Sequence, residues 1–149
     1  MVKSEDPINK VFNINSGNSK IPWTLGRIND SPVELRIGID TGADVSLISS
    51  SQVNRLKLMK TDSYKPFKLA DNTICTPSGL YKEVVLNISG YECTLDLYDI
   101  GENEFDILLG VNGLIKLQVG VYPYFNLLRF PSGDVKLENS DYHNHVSSK

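Results

Sequence analysis

Val33, Leu35, Ile37 and Ile39 are apolar and Glu34, Arg36 and Gly38 lie between them, a strict alternation that runs straight into Asp40. A two-residue period is that of a β-strand with one buried face, and Asp40 falls on the opposite parity from the apolar set. Asp40-Thr41-Gly42-Ala43-Asp44 follows, and then Val45, Leu47 and Ile48. The strand is therefore closed by an acid, a hydroxyl and the residue that turns most freely. Taken alone, the triplet reads first as a β-turn, because Asp and Gly are favoured in turns on any fold.

The rest of the chain repeats this grammar of short strands and turns. Trp23, Leu25 and Ile28 suggest a strand ahead of the turn cluster Asn29-Asp30-Ser31-Pro32. Ser49-Ser50-Ser51 offers N-caps for a short helix over about residues 52–58. Phe67, Leu69 and Ile74 flank Ala70-Asp71-Asn72-Thr73, with Asp71-Asn72 as a hairpin tip. Val84, Leu86 and Ile88 alternate, Ser89-Gly90 turns, and Tyr91, Cys93, Leu95 and Leu97 alternate again, which predicts a hairpin with Cys93 in the core. Phe105 to Gly110 is an apolar run ended by glycine, Leu114, Ile115 and Leu117 allow a brief helix, and a last hairpin spans 124–137 around Pro131-Ser132-Gly133-Asp134. The class is all-β, with one or two short helices. One domain is expected over 21–138, between a polar flexible arm at 1–20 and a disordered tail at 139–149; 149 residues suit one compact core.

Residue types remove several kinds of chemistry. Both histidines, His143 and His145, fall in the polar tail, so a serine or cysteine hydrolase lacks its usual base. Carboxylates become the first choice for acid–base work, with lysine or tyrosine as the remaining options. Cys75 and Cys93 fit no zinc spacing and are expected to be reduced; no metal and no cofactor are implied. A net charge of −3 argues against a nucleic-acid partner. There is no apolar run of about 18 residues to cross a membrane. The opening MVKSEDPINK lacks an apolar secretory core, so a cytoplasmic or particle-enclosed setting is expected.

Three stretches, in order, resemble the retroviral-type aspartic proteases (retropepsins), especially those of gypsy-like retrotransposons and plant pararetroviruses. They are IGIDTGADVSLIS, KLADNT and FDILLGVNGL, and the likeness spans roughly Pro22 to Leu117. The first and third are specific as a pair; the middle match is weaker. The resemblance implies a closed β-barrel or sandwich with a flap hairpin, active as a homodimer. It implies an aspartic endopeptidase that cleaves a Gag-Pol-type polyprotein, in the cytoplasm or within virus-like particles.

Chemistry reaches the dimer independently. Hydrolysing a peptide with carboxylates alone takes two, one ionised and one protonated, sharing a proton around a water. Like charges about 3 Å apart cannot both ionise, so the pair titrates as a unit. The chain has one Asp-Thr-Gly, so Asp40 of a second copy is expected to supply the other acid across a two-fold axis.

By resemblance, Thr41 braces the two loops across that axis, the Gly42 carbonyl faces the substrate backbone and Ala43 keeps the loop small. Asp44 accepts from a substrate N–H, and Ala70, Asp71 and Asn72 form the flap tip over the peptide. Read without it, Thr41 caps its own turn and Asp44 is a solvated loop acid. Leu108, Leu109 and Gly110 are assigned to structure. The chain also departs from the pattern. Val111 and Asn112 stand where relatives carry an arginine just after the glycine or an acid two residues past it. The arginine normally pairs with the acid matching Asp44, so that brace is missing or supplied elsewhere, and Arg27 or Arg36 could stand in. Asp71-Asn72 replaces the common Asp-Gly at the flap. Val135-Lys136-Leu137 is the candidate for a dimer-knitting strand. Two alternatives stand beside the protease: a host-domesticated dimerisation or peptide-binding module with little turnover, and a plain β-domain with a chance turn motif.

Overall fold

The computed structural model describes residues 10–11, 21–61, 66–69, 72–122 and 126–139. The flap-tip residues Ala70 and Asp71, Tyr124, the two histidines and most of the 1–20 arm lie outside them. In chain order the strands are β1 (Lys10–Val11), β2 (Pro22–Ile28), β3 (Leu35–Ile39) and β4 (Ser46–Ile48). Helix α1 (Ser50–Leu56) precedes β5 (Phe67–Leu69), β6 (Ile74–Cys75), β7 (Gly79–Ile88), β8 (Tyr91–Asp99) and β9 (Ile107–Leu109). Helix α2 (Val111–Leu117) precedes β10 (Gly120–Tyr122), β11 (Leu127–Phe130), β12 (Gly133–Lys136) and β13 (Glu138–Asn139).

Strands β2, β3, β9, β4, β8 and β7 pair in that order, and β7 pairs back onto β2 through Ile28↔Leu86, closing a six-stranded barrel. The other end of the same β2 edge takes β13, with Glu138 opposite Trp23. The alternation in β3 is obeyed: Leu35, Ile37 and Ile39 are at most 2% exposed. The β7–β8 hairpin turns at Ser89 and Gly90, both with positive φ, the geometry that matches strand twist in a two-residue loop. Glu83 (φ 58) marks a bulge where the register shifts between Tyr81 and Val84. Two smaller sheets, β10–β11–β12 and β1–β5–β6, flank the barrel pairing. The second contains the expected flap hairpin, and Lys10–Val11 runs parallel to it against Lys68–Leu69.

Several local expectations shift. In β2 the buried parity is Thr24, Gly26 and Ile28, and Leu25 points outward at 44% exposure. The reason is the closure: a Cβ on Gly26 would sit 2.9 Å from the Asn87 carbonyl of β7. Helix α1 begins at Ser50, not Gln52, and ends as Lys57 turns left-handed. Ser49 is its N-cap residue, yet its hydroxyl donates to the Phe105 carbonyl (2.7 Å) and accepts from Asn103 N–H, so it ties loops together. Helix α2 starts at Val111, three residues earlier than the apolar spacing suggested. Val135 and Lys136 lie in β12, paired with β11, and Leu137 just past them is 2% exposed. Cys93 lies in the barrel and Cys75, half-buried, on β6; both thiols are free.

The apolar interior forms two clusters. The larger fills the barrel around Ile37, Leu86, Leu95 and Leu97. A smaller one, Ala43, Val45, Leu47, Phe105 and Leu108, lies beside the acid loop with Trp23, Tyr98 and Ile100 packed at its margin.

Candidate active site

Asp40 is held where β3 ends. Its N–H donates to the Leu109 carbonyl at 2.9 Å, because β9 runs parallel to β3 and ends beside it. The chain then turns: Ala43 N–H donates to the Asp40 carbonyl at 3.2 Å, and Gly42 N–H donates to Asp40 Oδ1 at 2.9 Å. The side chain of Asp40 thus caps its own turn. Thr41, which could have capped it, is exposed and has no side-chain hydrogen-bond partner among the described residues.

Asp40 is 6% exposed, and its Oδ2 is buried with no hydrogen-bond partner among the described residues. Burial pushes the Asp40 carboxyl above the usual carboxylate range, and the N–H of Gly42 offsets part of that rise. A buried carboxylate with a free oxygen is costly when ionised. Burial therefore favours the protonated form of this carboxyl over the ionised one.

A second loop is locked against the first. Val111 N–H donates to the Ala43 carbonyl at 2.8 Å, and Gly110 N–H donates to Ser46 Oγ at 3.0 Å. Ser46 Oγ in turn donates to Asn112 Oδ1 at 2.8 Å, which also accepts from Gly113 N–H. Gly110 is forced by this approach: a Cβ there would lie 2.2 Å from the Val45 carbonyl and 2.7 Å from that of Ala43.

Of the residues singled out from sequence, Asp40, Thr41, Gly42, Ala43 and Asp44 form this single loop, with Ala43 fully buried and Asp44 exposed. Asn72 lies just ahead of β6, exposed and left-handed at φ 70, a conformation asparagine tolerates in turns. Ala70 and Asp71 lie outside the described residues. The two arginines expected near Asp44 have other company. Arg27 approaches Glu34 at 3.9 Å, and the Arg36 guanidinium lies 4.4 Å from the Trp23 ring centre.

Sequence reasoning passed over Ser46 and Asn112, treating the second only as a departure. The signal was there: a serine inside the apolar run Val45 to Ile48 must find a partner. It also passed over Gly38, where a Cβ would come within 2.6 Å of the Phe105 ring. A glycine interrupting a strict alternation marks such a close approach.

Residues 11–125 match the sequence profile of the retroviral aspartyl proteases. No curated protein is a significant match to the chain. Among solved structures, the retroviral protease-like domain of Ddi1 from Leishmania major is similar at a TM-score of 0.59 and 15% identity, covering 80% of this chain and 95% of that one. The EIAV protease, solved with the inhibitor HBY-793, gives 0.47 and 22%, covering 73% and 99%. The fold is retropepsin-like, a mostly-β barrel with two short helices. Since the profile covers more than three quarters of its length, the chain belongs to the retroviral aspartyl protease family.

Proposed function

We propose that this protein is an aspartic endopeptidase that works as a homodimer, cutting extended sites in a retroelement Gag-Pol-type polyprotein. Asp40 from each protomer meets its copy at the two-fold axis, and the pair holds one proton and one water. The ionised member takes a proton from the water as it attacks the peptide carbonyl, and the protonated member donates to the carbonyl oxygen. Thr41 braces the two loops, Gly42 and Asp44 bond the substrate backbone, and Ala70, Asp71 and Asn72 close over it.

The observation that carries this reading is Asp40 Oδ2, buried without a partner among the described residues, on a carboxyl whose affinity for protons is raised. A merely structural turn aspartate would spend both oxygens or face water. The decisive experiment is Asp40→Asn: cleavage should vanish while the protein still folds and dimerises. Full activity in that variant would end the proposal.

A host-domesticated binding module is the second reading. It is favoured by Val111, which stands where retroviral relatives have an arginine, and by the same fold in Ddi1 of Leishmania major. Peptide binding with no cleavage over a day at pH 5, in a dimeric sample, would select it.

A further inference from the structure

Arg36, Gly38 and Asp40 share one parity, so they share one face at the end of β3. On that face the Arg36 guanidinium lies over two rings, 4.4 Å from the centre of Trp23 and 5.3 Å from that of Phe105. Such stacking fixes the rotamer and leaves the donor fork in one plane. Nε is buried without a hydrogen-bond partner among the described residues. Among the described residues the guanidinium has no hydrogen-bond acceptor or carboxylate partner, although Arg36 is only half-buried and its terminal nitrogens reach solvent. The acids that could neutralise it are committed elsewhere. Asp106 accepts from the Arg36 backbone N–H at 2.8 Å and from Gln52 Nε2 at 3.0 Å, and Glu34 faces Arg27.

The residues between Arg36 and Asp40 on this side are apolar and buried, Phe105 to 1% exposure. Phe105 covers Gly38, and behind it lie Ala43, Val45, Leu47 and Leu108. A strand and an extended peptide have nearly the same rise, so a peptide anchored at Asp40 and running alongside β3 would reach Arg36 about four residues from the cut, some 13 Å away.

We propose that Arg36 is a specificity-determining residue that reads an acidic side chain of the substrate, three or four positions from the cleaved bond. The inference rests on the peptidase reading of Asp40 and adds to it the charge class of the substrate. The carboxylate supplies what the guanidinium lacks, a bidentate acceptor for a fork already held in place.

The test uses peptide pairs that differ only by Glu against Gln, placed in turn at each of four positions on either side of the cut. Cleavage efficiency is read with the wild-type dimer, and affinity by fluorescence anisotropy on the same pairs with the Asp40→Asn dimer. At one position the Glu member should be preferred about tenfold, less so at high salt. The ratio should fall to about one in Arg36→Gln, survive in part in Arg36→Lys, and turn toward a Lys-containing peptide in Arg36→Glu. Each ratio is taken within one protein, so loss of folded material cancels and a purely structural Arg36 would leave it unmoved. No Glu preference at any position, or one that persists in Arg36→Gln, overturns the proposal. If the wild type cuts nothing but anisotropy still favours Glu through Arg36, the peptidase reading falls and the Arg36 inference stands. Equal affinities throughout would overturn it.

Discussion

Ser46 Oγ and Asn112 Oδ1 meet at 2.8 Å, joining β4, which follows the acid loop, to the first turn of α2. The serine is fully buried, and its oxygen also accepts from Gly110 N–H. Ser46→Ala removes both bonds, leaving the Gly110 N–H unpaired and Asn112 Oδ1 with the Gly113 N–H alone, which should cost about 1–3 kcal/mol by urea unfolding. Asn112→Ala should cost less, because Ser46 keeps Gly110. The double variant should be less destabilised than the sum of the two, by about 1 kcal/mol. Additive losses would mean that the two side chains are not coupled.

Gly110→Ala tests how tightly the two loops interlock. The new methyl has backbone oxygens on its path, and backbone cannot swing aside as a side chain can. A loss of at least about 3 kcal/mol in stability is expected, along with loss of any peptidase activity. A variant that unfolds at the wild-type urea midpoint would contradict the packing described.

Gly38→Ala separates ring crowding from backbone crowding. Its Cβ would strike the Phe105 ring, which is 1% exposed and has nowhere to go. The substitution should cost about 1–3 kcal/mol alone. In a Phe105→Leu background the penalty should shrink markedly, a difference that thermal melts can resolve.

The acidity of Asp40 has a signed consequence for stability. Its folded-state carboxyl titrates above the ordinary range, chiefly through burial, so the folded protein holds that proton more tightly than the unfolded chain. The associated stability is fully present below the ordinary carboxylate pKa and is lost as pH rises through the raised value. Asp40→Asn abolishes that titration. At fixed protein concentration the variant should therefore gain on the wild type between pH 3 and pH 7, read as the difference in melting temperature. Peptidase activity should favour acid for a related reason, since one carboxyl of the pair must stay protonated; equal rates at pH 5 and pH 8.5 would argue against proton sharing.

Local pattern carried the reading where neighbours in sequence are neighbours in space. The alternation of Leu35, Ile37 and Ile39, the turn at Ser89-Gly90 and the Asp40 to Asp44 loop all have a signature within a few residues. What could not be read there depends on distant partners. Leu25 faces outward because β7 closes on the other face of β2, a pairing between segments almost sixty residues apart. Ser49 looks like a helix cap, yet its hydroxyl is claimed by the chain around Phe105. Asn112 reads as a departure from a family acid when family pattern is the guide; its meaning comes from Ser46 beside it. The acid was legible, and the scaffold that holds it was not.

Strand β9 has a consequence in time. It lies between β3 and β4, the two strands that flank Asp40, and arrives on the ribosome long after both. A nascent chain that stops short of Leu109 carries the aspartate but not the carbonyl that receives its N–H, nor the glycine that wedges against its loop. The acid loop therefore takes its final form only after β9 has been made and has paired between β3 and β4.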